Sequence, residues 1–172
     1  MGDGCLKTIG LISDTHIPTR AKQIPHKIFE VFKGVELIIH AGDLTTLAAV
    51  EQLSKIAEVI AVHGNMDNEE VRRKFPNLTY VEVFGWKIGV IHNAGDLFGK
   101  RRMRKLAQKY DFDVLVHGHT HNAKILWEKD VLYINPGSPT FPLPPFFIKP
   151  TVAILRLARE EIHPKIVELK KG

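Results

Sequence analysis

Residues 8 to 16 read "TIGLISDTH": a short apolar run, Thr8 to Ser13, gives way at once to the polar cluster Ser13-Asp14-Thr15-His16. A continuous apolar run of this length predicts a strand buried on both faces, because an alternating pattern would leave one face to water. The pattern returns at Glu36 to His40 ("ELIIH") and at Val59 to His63 ("VIAVH"), each again ending in polar residues. Between these runs, Pro25 to Lys33 and Leu44 to Ile56 carry helical signals, with Leu47, Val50 and Leu53 at helical spacing. Strands that alternate with helices predict βαβ units and a parallel sheet.

Beyond Asn68 the pattern changes. A short helix is expected over Glu69 to Lys74, then a hairpin of Thr79 to Phe84 and Lys87 to His92 joined at Gly85-Trp86. A helix over Gly99 to Tyr110 and a strand over Val114 to His117 follow, then strands at Lys124 to Glu128, Val131 to Asn135, Thr151 to Leu157 and Ile162 to Glu168. So many strands predict more than one sheet. Pro136 to Pro150, "PGSPTFPLPPFFIKP", must be a loop, since proline fixes φ and removes donors. Its Phe141, Phe146 and Phe147 are expected to pack onto the core edge, with an exposed contact patch as the alternative.

A chain of 172 residues suits one domain, residues 1–172, with a sizeable core. Its 44% hydrophobic and 25% charged residues argue against disorder. The net charge of +5 is a weak hint of phosphate-rich partners, since many soluble proteins carry as much for solubility alone. The single cysteine, Cys5, has no partner for an internal disulfide, which fits a reducing cytoplasm. No signal peptide or run of transmembrane length is evident, so a cytoplasmic protein without a membrane partner is expected. Homo-oligomerisation is left open.

Polar clusters close one predicted strand after another: "SDTH" (13–16), "HAGDL" (40–44), "HGNMD" (63–67), "IHNAG" (91–95) and "HGHTH" (117–121). The carboxyl ends of strands in an open α/β sheet are where sites assemble, so these clusters are expected to share one rim. In "HGHTH" a continuing strand would point His117, His119 and His121 the same way, as a metal site needs, whereas a turn would leave them merely polar. Taken together, Asp14, His16, Asp43, Asn65, His92, His119 and His121 offer carboxylate, amide and imidazole donors. That set has too many hard oxygens for a structural thiolate zinc site and suits catalytic Mn²⁺, Fe or Zn²⁺. Seven ligands exceed what one ion with open positions needs, so two ions are the natural reading. Gly42, Gly64 and Gly118 each precede a candidate ligand, where a residue without Cβ lets the backbone turn sharply beside an ion.

Through these residues the sequence resembles the calcineurin-like metallophosphoesterases. Their signature of Asp-x-His, Gly-Asp, Gly-Asn, a lone histidine and Gly-His-x-His is matched by Asp14-Thr15-His16, Gly42-Asp43, Gly64-Asn65, His92 and Gly118-His119-Thr120-His121. Small size and "NPGS" at Asn135 to Ser138 make it similar to the small prokaryotic phosphodiesterase branch. The resemblance implies an α/β fold, a four-layer αββα sandwich of two mixed β-sheets flanked by helices. It implies that Asp14, His16 and His121 hold one divalent ion, that Asn65, His92 and His119 hold the other, and that Asp43 bridges them. It further implies two ions, Mn²⁺ first with Ni²⁺, Zn²⁺ or Fe as alternatives. A metal-bound water, as bridging hydroxide, would then attack a small phosphodiester in line.

Many members continue Gly-Asn with a histidine thought to aid the leaving group, whereas this chain has Met66-Asp67. Asp67 is therefore a candidate for supporting a ligand or for acid work, set against a simple cap on the following helix. His40, His63 and His117 read as hydrogen-bonded supports, and Asn93 and Ser138 as substrate contacts or turn residues. In "GKRRMRK" (99–105), Lys100, Arg101, Arg102 and Lys105 read as the solvated face of an amphipathic helix, with a phosphate or nucleic-acid patch as the alternative. Two other functions stay in view. One is an interaction scaffold, as a eukaryotic retromer subunit of this fold serves; the other is a nuclease.

Overall fold

A computed structural model describes residues 6–93, 99–140 and 149–169. Ten strands and four helices follow in the order β1 (Lys7–Ile12), α1 (His26–Val31), β2 (Leu37–His40), α2 (Ala48–Leu53), β3 (Glu58–Ala61), α3 (Glu69–Lys74), β4 (Leu78–Val83), β5 (Trp86–Ile91), α4 (Gly99–Tyr110), β6 (Val114–His117), β7 (Lys124–Glu128), β8 (Val131–Asn135), β9 (Thr151–Leu157) and β10 (Ile162–Glu168). One sheet has the order β10-β9-β1-β2-β3 and the other β4-β5-β6-β8-β7. Strands β1, β2 and β3 are parallel, as are β5, β6 and β8, with antiparallel strands completing each sheet. Both sheets are mixed, as expected.

The two-residue period of a strand sorts side chains between layers. Ile9, Leu11, Leu37, Ile39, Ala153 and Leu155 face Ile88, Val90, Val114, Val116, Leu132 and Ile134 in one core between the sheets. The alternate residues Ile12, Ile38 and Val152 pack outward with Ile28 of α1, Phe32 just beyond it, and Val50 and Leu53 of α2. On the far side, Ile91, Leu115 and Tyr133 pack outward with Met103, Leu106, Ala107 and Tyr110 of α4. The layers are therefore helix, sheet, sheet, helix. Double-sided burial explains why the central strands read as unbroken apolar runs.

Two boundaries differ from expectation for local reasons. Helix α2 starts at Ala48, not Leu44, because Thr45 has φ of 75° and forms a parallel bridge with Ile17. The hairpin turns at Phe84-Gly85, one residue earlier than expected, since Val83 pairs with Trp86. Both turn residues have positive φ (54° and 91°), which matches the right-handed strand twist that two-residue hairpins need. Residues 136–140, 149 and 150 of the proline-rich stretch are loop, while Phe141, Phe146 and Phe147 lie outside the described residues. Among the described residues no helix is long and apolar enough to cross a membrane.

Candidate metal centre

Parallel strands leave their carboxyl ends on one side, and the connecting loops continue that alignment. Beyond β1 and β2, the amides of Asp14, His16 and Ile17 donate to the carbonyls of Gly42, Asp43 and Leu44 at 2.9, 3.0 and 2.9 Å. The Gly118 amide after β6 donates to the His92 carbonyl after β5 at 3.1 Å. Each sheet thus carries a stitched pair of loops at its rim.

Seven residues from those loops and from the loop after β3 form a closed circuit. His121 Nε2 lies 3.3 Å from Asp14 Oδ1, and His16 Nε2 lies 3.3 Å from His121 Nε2. Asp43 Oδ2 is 3.8 Å from His16 Nε2 and 3.3 Å from His92 Nε2. Asn65 Oδ1 is 3.1 Å from His92 Nε2 and 3.0 Å from His119 Nδ1. The His119 amide closes the ring on the Asp14 carboxylate, at 3.2 and 3.1 Å to its oxygens. Every residue singled out for metal ligation is present.

Donor atoms of Asp14, His16 and His121 lie within 4.8 Å of one another, as do those of Asp14, Asp43 and His92. Asp14 thus reaches both groups, while Asp43 sits between His16 and His92. The tautomer of His92 is also fixed: Nδ1 donates to the Ala41 carbonyl at 2.8 Å, which leaves Nε2 for a ligand. Asp14, Asp43 and His92 are at most 2% exposed, an expensive placement for ionisable groups unless a cation compensates them. The donor chemistry fits hard or borderline divalent cations.

Backbone strain and electrostatics concentrate here. Five of the seven residues, Asp14, His16, Asp43, His119 and His121, have left-handed φ between 47° and 71°. Non-glycine residues rarely adopt this region, and clusters of them mark functional sites. His119 and His121 therefore reach the site from a strained loop, and the strand ends at His117. Burial works against the charged form of His92, but the hydrogen bond to Asp43 and the Asp14 and Asp43 charges raise its pKa. The same bond, with the Met66 amide, holds the Asp43 carboxyl low despite burial. Burial lowers His16.

Residues 8–160 match the family model described as the calcineurin-like phosphoesterase superfamily domain. The chain belongs to this superfamily. A probable metallophosphoesterase of Methanothermobacter thermautotrophicus is 39% identical over 162 residues, covering 92% of this chain and 91% of the relative. A phosphodiesterase of Methanocaldococcus jannaschii is 29% identical, covering 93% and 99%. The structure of Vacuolar Protein Sorting 29 from Cryptosporidium parvum superposes with a TM-score of 0.83 at 24% identity, covering 97% and 93%. That last likeness concerns the fold.

Within the phosphoesterase frame, two glycines act by absent bulk. A Cβ on Gly64 would stand 2.1 Å from Asp43 Oδ1, and one on Gly42, at φ of 88°, would stand 2.6 Å from the His92 Cβ. Met66, next to Asn65, is 58% exposed. Asp67 does not cap α3, because Asn68 does so by accepting from the Val71 amide at 3.0 Å. Burial raises the Asp67 carboxyl, opposed by amide donors from Gly64 and Thr45.

Other residues brace the loops. His40 is fully buried with Nε2 3.0 Å from Thr15 Oγ1, and burial lowers its pKa to about 3. His117 lies 3.5 Å from Asn135 Nδ2, and burial lowers it. His63 Nδ1 reaches the Gly64 carbonyl at 3.4 Å, beside the site. Ser138 is buried and donates to the Asp14 carbonyl at 2.7 Å, a structural role in place of substrate contact. Asn93 is half-buried at the end of the described loop.

Four supports were not assigned that role from the sequence. Asn135 donates to the Gly118 carbonyl and Thr120 Oγ1 at 3.1 and 3.0 Å, and Thr140 donates to the Thr15 carbonyl at 2.8 Å. Ser13 Oγ lies 2.6 Å from Asp14 Oδ2 and 2.9 Å from the Gly137 carbonyl, its one proton serving either. Arg72 donates from Nε to the Asp67 carbonyl and from Nη2 to the Asn65 carbonyl, both at 2.8 Å. Only "NPGS" gave a hint, because hydrogen bonds to backbone carbonyls leave no spacing signature.

Proposed function

We propose that this chain, acting as one catalytic domain over residues 1–172, is a dinuclear metal-dependent phosphodiesterase of the cytoplasm that hydrolyses a small phosphodiester. The observation that carries the reading is the closed circuit of Asp14, His16, Asp43, Asn65, His92, His119 and His121. An interaction scaffold has no need of seven converging donors held in strained backbone. The archaeal phosphodiesterase relative supports the diester class.

In this reading Asp14, His16 and His121 would hold one divalent cation, Asn65, His92 and His119 would hold the other, and Asp43 would serve both. Two such cations, with Mn²⁺ preferred over Ni²⁺, Zn²⁺ or Fe, supply Lewis acidity toward a phosphoryl oxygen and a water acidic enough to attack phosphorus near neutral pH. The residues prepare for this. The Ala41 carbonyl keeps the His92 proton on Nδ1, the Met66 amide occupies Asp43 Oδ1, and Asp43 Oδ2 is left facing the histidines. Such fixed orientation means little reorganisation is needed during reaction. With methionine next to Asn65, no histidine protonates the leaving group there, so good leaving groups are favoured.

The test is hydrolysis of bis-para-nitrophenyl phosphate and para-nitrophenyl phosphate by metal-stripped protein after addition of Mn²⁺, Ni²⁺, Zn²⁺ or Mg²⁺. Metal-dependent diester turnover in the wild type, lost in Asp43→Ala and His92→Ala, is expected. Metal binding without turnover of either ester would leave the scaffold in possession.

A further inference from the structure

We propose that Asp67 is a positioning residue that locks the loop of Asp43 to the loop of Asn65 and thereby selects which Asp43 oxygen faces the metals. This rests on the metal reading above and concerns a residue that lies outside the donor circuit. Asp67 Oδ2 accepts from the Gly64 amide at 2.6 Å and from the Asp43 amide at 3.1 Å, while Oδ1 accepts from the Thr45 amide at 2.5 Å. Asp43 and Thr45 follow β2 and Gly64 follows β3, so one buried carboxylate joins two strand-end loops.

The link is reciprocal. Asp43 Oδ1 accepts from the Met66 amide at 2.8 Å, so each aspartate takes backbone hydrogen from the other's loop. With Oδ1 occupied, only Asp43 Oδ2 points toward His16 and His92. Arg72 fixes the far side of the same turn through the Asn65 and Asp67 carbonyls. Short loops at positive φ, such as Asp43 and Thr45 at 56° and 75°, do not hold that shape unaided.

Two other roles for Asp67 do not fit the geometry. Helix capping is performed by Asn68. A leaving-group acid must carry a proton it can release to substrate, but Oδ2 already accepts two amides and Oδ1 a third, which ties both oxygens to the two loops. Among the described residues, the three backbone amides that donate to its oxygens describe a carboxylate used as an acceptor.

The experiment compares wild type, Asp67→Asn, Asp67→Glu and the capping control Asn68→Ala. It measures Mn²⁺ titration of metal-free protein by calorimetry, circular dichroism, and diester hydrolysis across aryl leaving groups of rising pKa. Expected for Asp67→Asn is a native dichroism spectrum with Mn²⁺ binding weakened by about 10-fold or more, the usual effect of removing a group that orients a ligand. The rate should fall by the same factor for every leaving group and recover with excess Mn²⁺. Asp67→Glu, whose longer arm cannot meet all three amides at once, should lose affinity similarly, and Asn68→Ala should not.

Wild-type Mn²⁺ affinity in Asp67→Asn, or in Asp67→Glu should the amide variant not fold, overturns the proposal. A rate loss that grows with leaving-group pKa overturns it in favour of a proton donor. Mn²⁺ binding by wild type without hydrolysis overturns only the enzymatic reading, and the titrations still decide the role of Asp67. Absence of Mn²⁺ binding in wild type overturns both.

Discussion

Asp43 Oδ2, from the loop after β2 in one sheet, lies 3.3 Å from His92 Nε2, from the loop after β5 in the other. The candidate centre therefore bridges the two sheets, and its donors converge only when the sheets are packed. This relationship also couples metal binding to protons. Without a cation, Asp43 and its neighbours hold the His92 pKa above the usual histidine value.

Metal affinity should consequently rise with pH. A cation at His92 Nε2 must displace the proton that Asp43 favours, so log affinity should climb by up to about one per pH unit until the His92 pKa is passed. Calorimetry in buffers of different ionisation enthalpy would count the proton released. In Asp43→Asn the residual binding should show this dependence at lower pH. A flat affinity from pH 6 to 8 in wild type would refute the coupling.

His40 should make the metal-free protein acid-sensitive. Its folded pKa of about 3 lies below the unfolded value of 6.5, so between these the unfolded chain binds a proton that the folded chain refuses. Its contribution is fully present above pH 6.5 and falls as pH drops toward 3, by up to about 1.4 kcal/mol per unit. Buried His16 and half-buried His117 act in the same direction and His92 in the opposite one. Thermal unfolding of metal-free protein between pH 7.5 and 4.5 should show a shallower slope in His40→Gln.

Gly64→Ala should disable the centre. The new Cβ would stand 2.1 Å from Asp43 Oδ1 and 2.6 Å from its amide nitrogen, so the loop must shift. We expect roughly 2–3 kcal/mol of destabilisation and Mn²⁺ affinity lower by more than about 10-fold. Gly34→Ala is the control: with φ of 82° but nothing within 4 Å, it bears conformational strain alone. It should cost about 1 kcal/mol and leave Mn²⁺ binding unchanged.

The basic helix distinguishes a small diester from a polymer. Lys100, Arg101, Arg102 and Lys105 are exposed, and Met103, Leu106, Ala107 and Tyr110 turn the apolar stripe inward, as a solvated face requires. Replacing Lys100, Arg101 and Arg102 by glutamate should leave KM for bis-para-nitrophenyl phosphate within about twofold. A steep salt-dependent DNA affinity in wild type, abolished by the triple change, would favour the nuclease instead.

The sequence by itself determined the layers and the donor types. Unbroken apolar runs are what a strand covered on both faces must have, so β1, β2 and β6 were visible, and β7 through β10 matched expectation to the residue. Chemistry was legible for a similar reason: aspartates, histidines and an asparagine recurring at the ends of those runs have little other reason to be there. Tertiary structure decided the rest. It placed Asp14 within reach of both donor groups, assigned the helix cap to Asn68, and put Asp67 between two loops whose amides it binds. It also ended the strand at His117 and turned His119 and His121 inward through positive φ. Local sequence encodes a residue's chemistry and periodicity, but convergence depends on the packing of two sheets and on backbone amides, which are the same for nearly every residue type and carry no mark in the sequence.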